Sequence, residues 1–260
     1  MGKVYLIGAG PGAADLITVR GARLLGMADV VLHDALVEPA MLDYAPTYAR
    51  RIAVGKRCGQ RSTAQHFINK QIVDAALEHD VVVRLKGGDP MLFGRADEEM
   101  RALEAAGIEY EVVPGITAAL ASASALKRSL TLRGVSRSVA LATHSRAADT
   151  EEIREQVKAD SLVFYMGRDS APEIAQRLID AGRAGSTPVA IVEACSTVRE
   201  RSLTLTLEGL ACGEAQHWLD EAQPSLLMIG DAFADRRLLP RDEVLDASSS
   251  SSSSSALHAA

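Results

Sequence analysis

Apolar residues along this chain follow two rhythms. Short, mostly apolar runs such as Val4–Ile7, Val81–Leu85 and Leu226–Ile229 fit buried strands. Between them, apolar positions recur every three or four residues, the helical period. Strands are predicted at Val4–Ile7, Asp29–His33, Val81–Leu85, Tyr110–Val113, Val139–Thr143, Leu162–Met166, Val189–Glu193, Leu203–Leu207 and Leu226–Ile229. Leu203–Leu207 alternates Leu and Thr, as a half-exposed antiparallel strand does. Helices are predicted after an Asp15 N-cap, at Gln65–Leu77, at Ala96–Ala106 with Gly107 as its breaker, at Thr117–Leu126, at Glu151–Lys158 and at Pro172–Ala181.

Such alternation of strand and helix predicts an α/β fold. The pattern restarts after Pro114-Gly115, which divides the chain into two α/β domains, 1–116 and 117–240. Residues 241–260 contain an unbroken serine run from Ser248 to Ser255, too polar to offset the entropy of ordering, and are expected to be a disordered tail.

Composition narrows the function classes. Of 260 residues, 47% are hydrophobic and only 4% aromatic, so the core has to be built from Ala, Leu, Val and Ile. A net charge of −6 argues against a broad basic nucleic-acid surface and leaves room for a local cationic pocket. Cys58, Cys195 and Cys212 form no C-x-x-C pair, and their odd number makes no disulfide framework. Reduced thiols in a cytoplasmic protein are expected. No apolar run reaches the ~20 residues of a membrane span, and Met1–Gly10 carries no signal-peptide pattern. The histidines are scattered, so no metal site is expected.

Three segments carry candidate chemistry. Gly8-Ala9-Gly10-Pro11-Gly12 follows the first strand, where glycines let a ligand approach the backbone. The spacing is not the dinucleotide pattern, since Ala13 stands where the third glycine belongs and Pro11 removes an N–H. The second segment, Arg84-Leu85-Lys86-Gly87-Gly88-Asp89-Pro90, places an acid after two glycines at a strand end. There Asp89 either accepts hydrogen bonds from a ligand or caps a turn. Pro114-Gly115-Ile116-Thr117-Ala118 opens an Ala/Ser-rich helix that allows close packing.

With Val54-Gly55-Lys56-Arg57, Phe93-Gly94-Arg95 and Tyr165-Met166-Gly167, these segments stand in the order found in the tetrapyrrole methylase family, which the chain resembles over residues 3–235. The resemblance implies two α/β domains with a cleft between them, a homodimer, and two S-adenosylmethionine-dependent methylations of uroporphyrinogen III to precorrin-2. It assigns Pro11, Gly87, Gly88, Asp89, Leu92, Thr117, Ala118, Met166 and Cys195 to the cofactor. It makes Asp34 the proton acceptor and Lys56 the proton donor, and gives Arg95 and Glu98 a catalytic part in substrate handling. Arg133 matches a Thr-x-Arg-Gly segment that would bind substrate. The chain departs from the family pattern at Ala13-Ala14, Ala96-Asp97, Leu132 and His144, more on the substrate side than on the cofactor side.

The physical chemistry agrees with that expectation. A polycarboxylate substrate needs fixed cations, and arginine grips carboxylates bidentately. Arg57, Arg61, Arg95, Arg128, Arg133 and Arg137 are the candidates for such a pocket. Carbon methylation needs positioning, then a base such as Asp34 or Glu98 to remove a proton. The alternatives are a methylase of a later precorrin, an NAD(P)-dependent oxidoreductase and a non-catalytic ligand sensor.

Overall fold

A computed structural model describes residues 1–55, 65–143 and 158–235. The predicted helix at Glu151–Lys158, the tail, Lys56, Arg57, Arg61 and His144 lie wholly or mostly outside these residues.

The first sheet contains β1 (Lys3–Gly8), β2 (Val30–His33), β3 (Arg50–Ala53), β4 (Val81–Lys86) and β5 (Tyr110–Val113). Its order is β3-β2-β4-β1-β5, and all pairings are parallel. Parallel strands need crossovers, which here put α1 (Val19–Leu25) on one face and α2 (Gln65–Glu78) and α3 (Ala96–Ala105) on the other. With both faces covered, the strands read as continuous apolar runs. Val4, Leu6, Val30, Leu32 and Val82 pack under α2 and α3, while Ile7, Val31, Val83 and Leu85 pack with Leu24 and Leu25 of α1. The chain leaves β1 towards β2 and leaves β4 towards β5, opposite directions along the sheet. Open α/β sheets bind ligands in the crevice that such a reversal leaves at the carboxyl ends of the strands.

The second sheet is mixed, with order β6-β7-β10-β8-β9. Its strands are β6 (Val139–Thr143), β7 (Ser161–Tyr165), β8 (Pro188–Glu193), β9 (Arg201–Thr206) and β10 (Ser225–Ile229). Only β6 and β7 run parallel. One face packs on α5 (Ala171–Asp180) and α6 (Leu207–Ala211). On the other lies α4 (Ala118–Leu126), whose Ala119 and Ala123 meet Val163, Ala190 and Met228. The small side chains of α4 allow that close seat. β9 is antiparallel to β8, and its outer residues alternate between exposed and half-buried.

The structure differs from the sequence reading in the cap of its first helix and in several short elements, among them a 3-10 helix at Pro39–Tyr44. The first helix is capped by Thr18, whose hydroxyl accepts from the Gly21 N–H, and Asp15 instead sits in a short 3-10 turn. The edge strand β3 and the short helix α6 are additional elements.

The carboxyl end of the first sheet is drawn tight by glycine. A Cβ on Gly115 would stand 2.3 Å from the Gly88 carbonyl oxygen and 2.8 Å from Gly8 Cα. Gly10 and Gly88, with φ of +79° and +69°, exchange backbone hydrogen bonds of 2.7 and 3.1 Å. We expect Gly115→Ala to lower stability by about 1–3 kcal/mol through this backbone overlap. Gly107→Ala is the control. Its φ is +67° but no atom lies within 4 Å of the added carbon, so only conformational strain is incurred. Equal shifts of the urea midpoint in the two variants would contradict the close approach.

Candidate active site

Four loops meet beyond the carboxyl ends of β1, β2, β4 and β5. The β4 loop is tied to the β5 loop by Asp89, whose Oδ2 accepts from the Gly115 N–H at 2.9 Å. Its Oδ1 accepts from the Met91 N–H at 2.8 Å. Asp89 is therefore a turn organiser in this structure, and each of its oxygens keeps a lone pair for another donor. Leu92 closes the same turn with its N–H on the Asp89 carbonyl. Gly87 faces the side chain of Leu36 in the β2 loop, and around Gly88 a Cβ would find open space.

The second sheet brings two loops to the same place. A Cβ on Gly12 would touch Thr197, the Cys195 carbonyl and Ser196, and the Ala13 N–H donates to Ser196 Oγ at 3.0 Å. Pro11, Leu36 and Glu38 line a cavity of about 160 Å³ together with Ala194, Thr197 and Arg199. Arg199 pairs with Glu38 across it at 3.2 Å. Tyr165 joins the other side. Its hydroxyl lies 2.6 Å from Thr117 Oγ1 and accepts from the Ala119 N–H at 3.1 Å, serving as the missing N-cap of α4. Its ring meets Phe93 of the β4 loop at 5.1 Å between centroids. Burial pushes the Tyr165 hydroxyl and the Cys195 thiol up in pKa.

Backbone strain gathers here as well. Phe93, Arg95, Met166, Ala194 and Ser196 have left-handed φ of 48–60°, and all belong to these loops. Each costs on the order of 1–3 kcal/mol, and such strain clusters where a ligand site demands it.

Beneath the loops lies a buried group of charges. Residues 82, 84 and 86 of β4, 30 and 32 of β2, and 34 just past it share the face covered by α2 and α3. Arg84 and Lys86 are thereby buried. Glu99, on the inner side of α3, accepts from Arg84 Nε at 3.1 Å and from Lys86 Nζ with both oxygens at 3.0 Å. The other end of the Arg84 guanidinium holds Asp34 Oδ1. Arg84 also donates to the Leu85 carbonyl at 3.1 Å. Burial and the neighbouring Arg84 push the Lys86 pKa down, against the pull of Glu99. Breaking such a buried pair by removing one partner typically costs about 3–5 kcal/mol.

The remaining expected residues sit further out. Arg95 and Glu98 form an exposed ion pair at 2.7 and 2.8 Å, which holds the arginine pKa up and the carboxyl pKa down. Arg133 is exposed on the turn closed by Leu132 and Ser136, with no hydrogen bond or ion pair to the described residues. Arg128 is engaged with the Phe233 carbonyl. Gly55 packs against Ala35 and the Asp34 backbone. A larger groove of about 780 Å³ flanks α4 and shares Thr117 and Arg128 with the residues expected at the site. Among the described residues, no helix is long and apolar enough to cross a membrane, and no cluster of His, Cys, Asp and Glu is placed to hold a metal ion.

Sequence reasoning missed Tyr165, Ser196 and Glu99 as parts of this arrangement. Charged residues inside an apolar strand, Arg84 and Lys86, were the available signal for Glu99.

Comparison with known proteins fits this geometry. The profile of the Tetrapyrrole (Corrin/Porphyrin) Methylases matches residues 3–211. The chain belongs to the tetrapyrrole methylases. It is 44% identical over 237 residues to a siroheme synthase of Psychrobacter cryohalolentis, covering 90% of this chain and 45% of that protein. The chain thus spans about half the length of the curated relatives it matches. Among solved structures it is similar to uroporphyrin III C-methyl transferase of Thermus thermophilus, with a TM-score of 0.78, 35% identity, and coverage of 91% of this chain and 96% of the other. The same enzyme complexed with S-adenyl homocysteine gives a TM-score of 0.77 at 37% identity, covering 89% and 98%.

Tyr165→Phe tests the joint between the loops of this tetrapyrrole methylase. It strips a partner from Thr117 Oγ1 and from the Ala119 N–H, so we expect a loss of about 1–2 kcal/mol by urea unfolding. A loss below about 0.3 kcal/mol, less than one typical hydrogen bond contributes, would contradict the capping role.

Proposed function

We propose that this chain is an S-adenosylmethionine-dependent C-methyltransferase that methylates uroporphyrinogen III twice, giving precorrin-2. The observation that carries the reading is the cradle of close backbone turns at Gly8, Gly88 and Gly115. It belongs to a chain with the fold of an enzyme solved with S-adenyl homocysteine. We read 1–116 and 117–240 as the two domains, and the working form as a homodimer.

The residues present fit the cofactor. Around Gly88, open space leaves room for a ligand beside the backbone. Asp89 offers acceptor capacity to cationic or hydroxyl groups, while Pro11, Gly87, Leu92, Thr117, Ala118, Met166 and Cys195 would supply the remaining walls. When bound, S-adenosylmethionine supplies a methyl group on a sulfonium, which a nucleophilic ring carbon accepts as the sulfur departs as a neutral thioether. This chain then has to orient the ring and remove a proton. Asp34, about a quarter exposed and held through one oxygen by Arg84, keeps its other oxygen for that proton. Lys56 would return a proton elsewhere on the ring. Arg95, exposed and paired only with Glu98 among the described residues, is placed to exchange that partner for a substrate carboxylate.

The test is anaerobic incubation with S-adenosylmethionine and fresh uroporphyrinogen III, followed by mass spectrometry. We expect a product two methyl groups heavier and release of S-adenosylhomocysteine. Bound cofactor with no methylated product would contradict the substrate. In the same assay Arg95→Ala is expected to lower turnover at least ~100-fold, in the range of losing a positioned catalytic group, with the Kd for S-adenosylhomocysteine unchanged. Asp89→Ala is expected to weaken that Kd about tenfold, the worth of a charge-assisted hydrogen bond. An unaltered Kd would leave Asp89 as a turn cap alone.

A further inference from the structure

Four charged side chains are drawn together under the first sheet's carboxyl end, and stability does not explain them. Buried ion pairs seldom stabilise more than apolar residues of similar volume, because desolvation offsets their attraction. Here the group is also uneven in exposure. Glu99, Arg84 and Lys86 are sealed within the α2/α3 layer, and only Asp34 reaches the crevice. The hydrogen bonds run in one line from Lys86 to Glu99, to Arg84 and to Asp34. The side chain of Gln65 adds a longer contact to Glu99 at 3.4 Å.

We propose that Glu99 is a positioning residue for the proton-accepting step at Asp34, fixing the Arg84 guanidinium in place and balancing the two buried cations behind it. This rests on the methyltransferase reading above. The physical logic is one of charge. Arg84 alone holds Asp34 in a single orientation. Arg84 and Lys86 without Glu99 would place two positive charges behind the base and weaken its affinity for a proton. Glu99 cancels one of them, so the arginine orients the carboxylate against one net positive charge instead of two. The other titratable group beside Asp34 among the described residues is His33, whose Nδ1 lies 3.2 Å from the Asp34 carbonyl oxygen. His33 makes no hydrogen bond or ion pair with Glu99 among the described residues.

Two variants test the proposal in the full chain. Glu99→Gln keeps size and most hydrogen bonding but removes the charge. It is expected to lower kcat about tenfold, to leave KM for the tetrapyrrole within about twofold, and to move the acidic limb of the pH–rate profile down by about one pH unit. Lys86→Met/Glu99→Gln removes one charge of each sign, and is expected to return that limb to its wild-type position. A purely structural role would lower the unfolding midpoint without moving the limb.

A wild-type kcat and pH profile in Glu99→Gln overturns the proposal, as does a double variant shifted as far as the single one. If the single variant does not fold, Lys86→Met decides: it removes one cation behind Asp34 and is expected to move the limb up, and an unmoved limb overturns the proposal. A separate readout is independent of turnover. The Arg84 Nε–H resonance is expected to be protected from exchange in the wild type and to exchange faster in Glu99→Gln, where a neutral amide oxygen replaces the carboxylate. Wild-type protein that gives no methylated product contradicts the proposed function, whereas an unprotected Arg84 signal in the wild type overturns the positioning.

Discussion

At the end of the first sheet, Gly8 and Gly115 let three backbone segments come closer than a Cβ on either would permit. Gly8, Gly88 and Gly115 occupy one small volume, and the loops after β1, β4 and β5 are positioned by that contact. The consequences spread outward. Because Gly88 is pinned to Gly10, Asp89 stands where it can take the Gly115 N–H. Because the β1 loop is tight, Gly12 can seat against Cys195, Ser196 and Thr197 from the second sheet. The close backbone approach thus fixes the loops that border the crevice.

Alternation along the strands provides the other half of the arrangement. The period of two that buries Val82 under α2 and α3 also drives Arg84 and Lys86 into that layer. The register that pairs Leu32 with Arg84 brings the residue two beyond Leu32 into reach, and that residue is Asp34. A charged side chain can be held there only with a partner, and α3 supplies it in Glu99. The cost of burying these charges is compensated within the group, and the exposed end of the group is the carboxylate proposed to do chemistry.

Much of this was legible in the sequence, and the reason is locality. The β1, β4 and β5 strands, the glycine turns after them and the start of α4 all lie in short windows whose pattern is self-sufficient. Thr18 and Asp15 are both competent caps, and only the packing of α1 selects the first. The Arg50–Ala53 strand is an edge with two arginines, so its apolar signal is faint. The reach of Tyr165 to Thr117 spans 48 residues, and that of Ala13 to Ser196 spans 183. No local pattern encodes such contacts. The inward direction of Glu99 depended on the phase of α3, where three acids stand in a row.

The central claim is that the glycine cradle at the ends of β1, β4 and β5 is the methyl-donor site. Its most direct test is a crystal structure of the chain with S-adenosylhomocysteine. The account predicts ligand density against Pro11, the Gly87–Asp89 turn and the Thr117–Ala118 start of α4, with Met166 and Cys195 beside it. Density seated instead in the groove along Lys127 to Thr131, with the cradle vacant at saturating ligand, would contradict it.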